Sequence, residues 1–521
     1  MSDLALSNAL DGVIGSLGAT VGEVPGILDT AGQGVGGIVG DLGGLLPPQG
    51  PFQECIVAAL RGDSSLYAFP QDILQEITNN HPYNLDYPWT PAAIVYPRNT
   101  IDVSKVVVCA STYGIAVQPK SGGHSYCNFG YGGQDGSLAV DLQHMDDFNY
   151  NPADQTVTFG PGNKLADLDR HLAAIDRVMA YGVVGDIGTG GQIAIGGLGP
   201  LSRLLGLASD QVISVECVLG DGSIVRASAY ENPDLFFAIR GAAWSFCIMT
   251  EIQMQTSPSP SAAIEFQYNI TVGRYADLAG TFKKWQQLIA DPSLSRHFAA
   301  TLTLTAPGLM IFAGTFYGTE PEFNQLNLDF VLPFGQEELG ITVVSRIATG
   351  LIHSLTDFLY DVGGTIPAHF YSNSLKYTRR TLLSDAAVDQ LFQYFDSAPT
   401  DSLIWFVVWD LNGGFIEEIP QTATAYWHRD ALHFQQAYVV SPFGPVSAAS
   451  HEFLVGLNRL CRQLNPGIDE SAYAGYVDAA LLDPLTAYWG GNVARLIQIK
   501  GVYDPWNTFR NPQSIPPPAR A

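Results

Sequence analysis

Two glycine-rich stretches carry the strongest chemical signal in this chain. The first is Ser121-Gly122-Gly123-His124-Ser125-Tyr126. The second runs Gly182-Val183-Val184-Gly185-Asp186-Ile187-Gly188-Thr189-Gly190-Gly191 and continues to Gly196-Gly197-Leu198-Gly199. Backbone N–H groups at glycine can approach an anion closely, so such stretches can cradle a pyrophosphate. Ordinary turns between strands also produce glycine clusters, and glycine content alone does not choose between the two. Neither stretch fits the dinucleotide fingerprint, which needs G-x-G-x-x-G between a strand and a helix and an acid about 20 residues on. The six cysteines, at 55, 109, 127, 217, 247 and 461, show no C-x-x-C pair and no Cys/His spacing suited to zinc, so no metal is expected.

The elements that must position these stretches follow from the pattern around them. Residues 92–97 read as a short strand ending at a proline. Asn99 or Thr100 then caps a helix with apolar positions at Val103, Val106, Val107 and Ala110. Residues 115–119, 138–142 and 155–159 read as further strands, the first running straight into the His124 turn. An amphipathic helix is expected near 164–175, and Gly220-Asp221-Gly222 marks a hairpin between 212–219 and 224–227. Beyond Pro258, longer helices (275–289, 385–395, 448–464) alternate with aromatic-rich strands such as 402–410. The overall class is α+β.

At 521 residues the chain is too long for one core, and its 46% hydrophobic and 14% charged composition suits a folded protein. Acidic residues outnumber basic ones 50 to 25, for a formal charge of -25. Such a surface repels phosphate backbones and anionic membranes, so neither nucleic acid nor membrane is an expected partner, and neutral substrates are favoured. Residues 1–50 contain no Lys or Arg, and no apolar run is long enough to span a bilayer. They read as an N-terminal extension of a chain whose secretion signal is already gone. The sequon Asn269-Ile270-Thr271 fits a secreted glycoprotein.

The segment Pro119-Lys120-Ser121-Gly122-Gly123-His124-Ser125-Tyr126 resembles the flavin-attachment loop of the berberine bridge enzyme-like FAD-linked oxidases, within the vanillyl-alcohol oxidase superfamily. Five further blocks occur in the family's order. They are residues 188–210, with Leu201-Ser202-Arg203; Arg240-Gly241-Ala242-Ala243; Asp410-Leu411-Asn412-Gly413-Gly414; Tyr473-Ala474-Gly475-Tyr476; and residues 503–517. The likeness covers about 52–518 and is closest to the oligosaccharide-oxidase branch. It implies a two-domain FAD-binding fold of the vanillyl-alcohol oxidase type. The FAD domain would comprise 51–255 plus a C-terminal return at 470–521. Between them, 256–469 would form a substrate domain of antiparallel sheet covered by helices.

The resemblance also implies site residues. His124 would bond covalently to the flavin 8α-methyl carbon, within a cofactor site of Ser121, Gly122, Gly123, Ser125, Ile187, Gly188, Gly190, Gly191, Gly196 and Ile248. Many members attach the flavin a second time through a cysteine; Val184 stands there in this chain, so a single attachment is expected. Ile187 would face the edge where oxygen approaches, which leaves oxidase and dehydrogenase both open. In the Tyr473 block, Gly475 stands where the family usually has asparagine. Cys55 and Cys109 match the family's first disulfide, in keeping with secretion. Tyr476 matches the catalytic base and Asp410 its partner, since a tyrosine becomes a usable base when a carboxylate takes its proton. Tyr126, Gln435, Phe406 and Val408 match substrate-contact positions.

Three readings follow. In the first, the enzyme oxidises the anomeric hydroxyl of an oligosaccharide to a lactone, passing electrons to oxygen, with hydrogen peroxide as product, or to another acceptor. In the second, the apolar Phe406 and Val408 face takes an aromatic alcohol or secondary metabolite. In the third, the protein binds flavin or sugar without turnover.

Overall fold

The computed structural model describes residues 50–70, 82–271, 273–306, 308–328, 331, 341–344, 367–402 and 404–519; the expected N-terminal extension, Gly50 apart, lies outside them. Strands β1 (Tyr67–Ala68), β2 (Ala93–Val95), β3 (Val117–Lys120) and β4 (Leu138–Asp141) form a sheet in the order β1-β2-β4-β3. β2 and β3 both pair parallel with β4. The connection between β2 and β3 is the helix Thr100–Thr112, capped where expected: the Asn99 side chain accepts the Asp102 N–H. Val103, Val106, Val107 and Ala110 are all buried against the sheet. β3 starts two residues later than the pattern suggests. Gly114 takes φ +68° and Ile115 donates its N–H back to the Ala110 carbonyl, so Ile115 closes the helix. Cys109 on this helix is disulfide-bonded to Cys55 on the helix Pro51–Ala59.

A second sheet is antiparallel throughout. It contains β5 (Phe148–Asn151), β6 (Thr156–Phe159), β8 (Val212–Val218), β9 (Ile224–Ser228) and β10 (Ile248–Gln255), in the order β5-β6-β10-β8-β9. β7 (Arg177–Val178) pairs separately with β11 (Ser257–Pro258).

The third and largest sheet takes β12 (Ala263–Thr271), β13 (Phe298–Thr305), β14 (Leu309–Phe316), β15 (Ile341–Val344), β16 (His369–Tyr377), β17 (Ile404–Leu411) and β18 (His433–Ser441). Their order is β15-β12-β14-β13-β17-β18-β16, every pair antiparallel. Side chains on a strand alternate between faces. On β17 the odd positions Trp405, Val407 and Trp409 enter a core with Phe282 and Trp285 of the helix Ala279–Ala290, Leu391 and Phe392 of Asp385–Ser397, and Phe453 and Leu457 of Ala448–Leu464. The even positions, Phe406, Val408 and Asp410, face the opposite side.

After Ala448–Leu464 the chain returns to the first two sheets. Leu496 and Ile499 of the helix Val493–Tyr503 pack with Val215 and Phe237, and the Thr508 carbonyl accepts the Val117 N–H at the start of β3. The return is locked by Lys500, which is fully buried. Its ammonium donates to Asp504 at 2.7 Å and to the Phe509 carbonyl at 2.7 Å, and also to the Ser245 carbonyl. Burial pulls the Lys500 pKa down to about 8 against the pull of Asp504. Lys500→Met strands the Asp504 carboxylate, and removing one partner of a buried ion pair costs about 3–5 kcal/mol. A correspondingly lower urea midpoint in equilibrium unfolding is the expected outcome.

Candidate active site

The loop leaving β3 and the second glycine stretch meet backbone to backbone. A Cβ on Gly122 would lie 2.3 Å from the Gly188 nitrogen, and one on Gly188 would lie 2.0 Å from the Gly122 nitrogen. Gly123 adopts φ +79°, a region open to glycine but costly for residues with a Cβ. These contacts bring the first motif against the second around a cavity of about 610 Å³. Ser121, Gly122, Gly123, His124, Ser125, Val184, Ile187, Gly188, Gly190 and Gly191 all line it, and a Cβ on Gly191 would meet nothing within 4 Å. Ser121 donates its hydroxyl to the Pro161 carbonyl, and Ser125 Oγ accepts the Phe129 N–H, so both serines brace the loop. Burial lowers the His124 pKa to about 4, which leaves a neutral imidazole at pH 7.

Two expected cofactor residues sit elsewhere. Gly196 does not line the cavity; with φ +109° it lies against the Tyr426 ring, where a Cβ would come within 2.7 Å. The Ile248 side chain is buried in the core with Val218 and Phe509, because strand alternation turns its neighbours Cys247 and Met249 to the cavity instead.

At the other end of the cavity, the Tyr476 hydroxyl donates to Asp410 Oδ2 at 2.8 Å. Asp410 keeps a little surface toward the cavity but is otherwise enclosed by protein, and this desolvation pushes its pKa up to about 6 against the opposing hydrogen bond. The surrounding motifs hold the pair. Arg203 donates to the carbonyls of Phe298, Ser295 and Asn412, and Asn412 in turn donates its amide to the Asp410 carbonyl at 2.9 Å. Tyr473 Oη accepts the N–H groups of Gly197 and Leu198, and its ring meets Tyr476 edge-on at 5.0 Å. A side chain at Gly475 would run into that ring, at 2.4 Å, so this position has no room for asparagine.

The substrate-side residues divide. Tyr126 lies parallel to the Tyr476 ring at 6.4 Å, and Phe406 stacks on Tyr438 at 4.9 Å. Val408 shares their face but is fully buried among Phe370, Phe406 and Tyr438. Gln435 is a correction. It is paired across from Trp409, so it points into the helix-covered core, bonded to Trp409, Tyr377 and Asn458. Gln436, paired with Val408, is the glutamine on the cavity side, and its amide donates to Tyr126 Oη at 2.8 Å. Gln435 and Gln436 differ only in register, which the sequence does not print. Tyr83, Tyr438, Thr301, Gln267 and Glu265 also line the cavity and carry no motif. Strand alternation from Phe406 would have found Tyr438 and Thr301 once the strand pairing was known.

A glycine-walled cavity with a neutral imidazole at its rim and a tyrosine–carboxylate pair opposite suits a large, flat, phosphate-bearing redox group. Comparisons with known proteins agree. Residues 91–228 match an FAD binding domain, and residues 472–516 match the berberine and berberine-like family. FAD-linked oxidoreductase sorD of Penicillium rubens is 35% identical over 469 residues, spanning 89% of this chain and 98% of the relative. Glucooligosaccharide oxidase of Sarocladium strictum is 31% identical, spanning 84% and 89%. A solved glucooligosaccharide oxidase from Acremonium strictum, which carries 6-S-cysteinyl, 8α-N1-histidyl FAD, superposes with TM-score 0.79 at 27% identity and covers 90% of this chain and 100% of that one. That likeness bears out the expected fold type. With this identity sustained along almost its whole length, the chain is an FAD enzyme and belongs to the berberine bridge enzyme-like family of FAD-linked oxidoreductases.

Proposed function

We propose that this enzyme dehydrogenates an alcohol carbon, the anomeric hydroxyl of an oligosaccharide giving a lactone, with FAD held on His124 alone. The hydrogen bond from Tyr476 to Asp410 carries the reading. FAD supplies the hydride acceptor. Tyr476 takes the substrate hydroxyl proton as its own moves along the 2.8 Å bond to Asp410, so no charge has to leave the enclosed site. The neutral His124 ring has a nitrogen lone pair free for bonding to carbon. Val184 lines the cavity at the position matched to the second attachment, and it has no thiol. Ile187 lines the cavity too, and its bulk decides between oxygen, reduced to hydrogen peroxide, and another acceptor.

Support for a sugar comes from the polar part of the sheet face. Glu265, Gln267, Thr301 and Thr315 line the cavity on neighbouring strands beyond Asp410, where hydroxyl groups find partners. The formal charge of -25 favours a neutral ligand. Work outside the cell is part of this reading, supported by the Cys55–Cys109 disulfide.

One observation favours a second reading. On the other side of Asp410, Tyr83, Tyr126, Phe370, Phe406 and Tyr438 form a continuous aromatic cluster. That wall suits a flat aromatic alcohol or secondary metabolite.

Tyr476→Phe is expected to lower kcat by about 10²–10⁴-fold while the protein still binds FAD, read from the rate of anaerobic flavin bleaching. The pH profile follows from Asp410. Below about pH 6 its carboxylate is protonated and cannot take the Tyr476 proton, so kcat/KM falls about tenfold per pH unit toward acid, and Asp410→Asn removes that limb. Bleaching across a panel of mono- and oligosaccharides and aromatic alcohols separates the two substrate readings; a panel in which no sugar bleaches the flavin rejects the first.

A further inference from the structure

His124 is held in an unusual way for a residue that must meet a partner atom in one orientation. Among the described residues it makes no hydrogen bond, so neither ring nitrogen is fixed by a donor or acceptor. What it does touch is the ring of Tyr83, with centroids 4.7 Å apart and planes tilted by 33°. Histidine χ2 is a broad torsion, and a flat neighbour is what narrows it when no hydrogen bond does.

Tyr83 is itself fixed from several directions. Phe370 meets its ring edge-on at 5.1 Å, and the Tyr126 ring lies 6.3 Å away. Its carbonyl accepts the Ala368 N–H. The next residue, Asn84, is clamped by donating its amide to the carbonyls of Tyr126 and Phe370. The ring therefore has little freedom, and a rigid face can hold a mobile one.

We propose that Tyr83 is a positioning residue for flavin attachment: its ring fixes the His124 imidazole in the orientation from which the bond to the flavin forms. This rests on the reading that His124 carries the FAD. In that step an imidazole nitrogen bonds to the 8α carbon, and one methyl C–H and the imidazole N–H break. The two electrons and two protons remain on the ring system as reduced flavin, and dioxygen removes them as hydrogen peroxide. Tyr83 supplies no proton or electron; it acts through the geometry of His124, where a small misplacement slows a bond-forming step by about ten- to a hundredfold.

The test uses the full chain and reads covalent flavin, not turnover. Wild type, Tyr83→Phe, Tyr83→Leu, Tyr83→Met and His124→Ala are loaded with FAD. Bound flavin is measured by absorbance before denaturation, and the covalent fraction by acid precipitation and intact mass afterwards. Tyr83→Phe keeps the flat face and should attach flavin as the wild type does. Tyr83→Leu and Tyr83→Met should bind FAD but attach it about ten- to a hundredfold more slowly. Met fills the same space with an unbranched chain, so it gives the answer if the Leu protein does not fold. Attachment at the wild-type rate in the folded Leu or Met variant overturns the proposal. So does a loss in Tyr83→Phe equal to that in Tyr83→Leu, which would assign the effect to the hydroxyl. Release of all flavin from acid-treated wild type, or covalent flavin in His124→Ala, instead rejects the reading that His124 is the anchor.

Discussion

The hydrogen bond from Tyr476 to Asp410 joins residues 66 positions apart, one on the face of the largest sheet and the other on the C-terminal segment that returns toward the glycine stretches. An ionised carboxylate taken out of water costs free energy unless it keeps strong partners, and among the described residues the Asp410 carboxylate has this one side-chain hydroxyl. The fold is arranged so that the two arrive together. Arg203 and Asn412 hold the turn that follows Asp410, and Tyr473 ties the Tyr476 segment to the Gly197 and Leu198 N–H groups. Motifs that look like ligand contacts in the sequence are in part contacts between motifs. Arg203, buried and donating to three carbonyls with its pKa lowered to about 10 by burial, is the clearest case.

Legibility in the sequence followed locality. The Asn99 cap, the four apolar positions after it and the turn at Gly220-Asp221-Gly222 depend on near neighbours, and all were readable. Gln435 was misassigned because a one-residue shift exchanges the faces of a strand, and β18 is buried on both sides. Ile248 failed for the same reason. Its strand is buried on both faces, so hydrophobic pattern alone does not tell a core side chain from a cavity wall. Gly196 was a correct motif residue with a different task, making room for Tyr426.

Tyr83 was invisible for a deeper reason. It sits outside every glycine motif, and it reaches His124 only because Asn84 and Asn128 knot their segments together. Asn128 donates to the carbonyls of Asn84 and Tyr87, and its own carbonyl oxygen accepts the Asn84 N–H. Asn84 then reaches the carbonyls of Tyr126 and Phe370. Both asparagines are about 99% buried, where every unmet polar group is costly, so their mutual satisfaction is what lets a loop of irregular backbone sit inside the protein. No spacing rule announces such a pair.

Under the proposed function, the same sheet gives chemistry and substrate choice different residues. Asp410 lies on a central strand, with the carbonyl-bound turn after it and Tyr476 above it. On the cavity face, Thr301, Thr315, Gln267 and Glu265 lie on the strands to one side; Phe406, four residues before Asp410 on the same strand, and Tyr438 on the strand to the other side are backed by Phe370. Because alternate residues of a strand face opposite ways, each of these can change without disturbing Trp405, Val407 or Trp409 in the core behind. In the proposed function the Tyr476–Asp410 pair and the sheet residues that would meet the substrate thus occupy separate positions, and Tyr126, parallel to Tyr476 at 6.4 Å, is where they adjoin. Under the proposed function, a face polar on one side of Asp410 and aromatic on the other would shift ligand preference at constant chemistry, with the reacting carbon at the seam between the two.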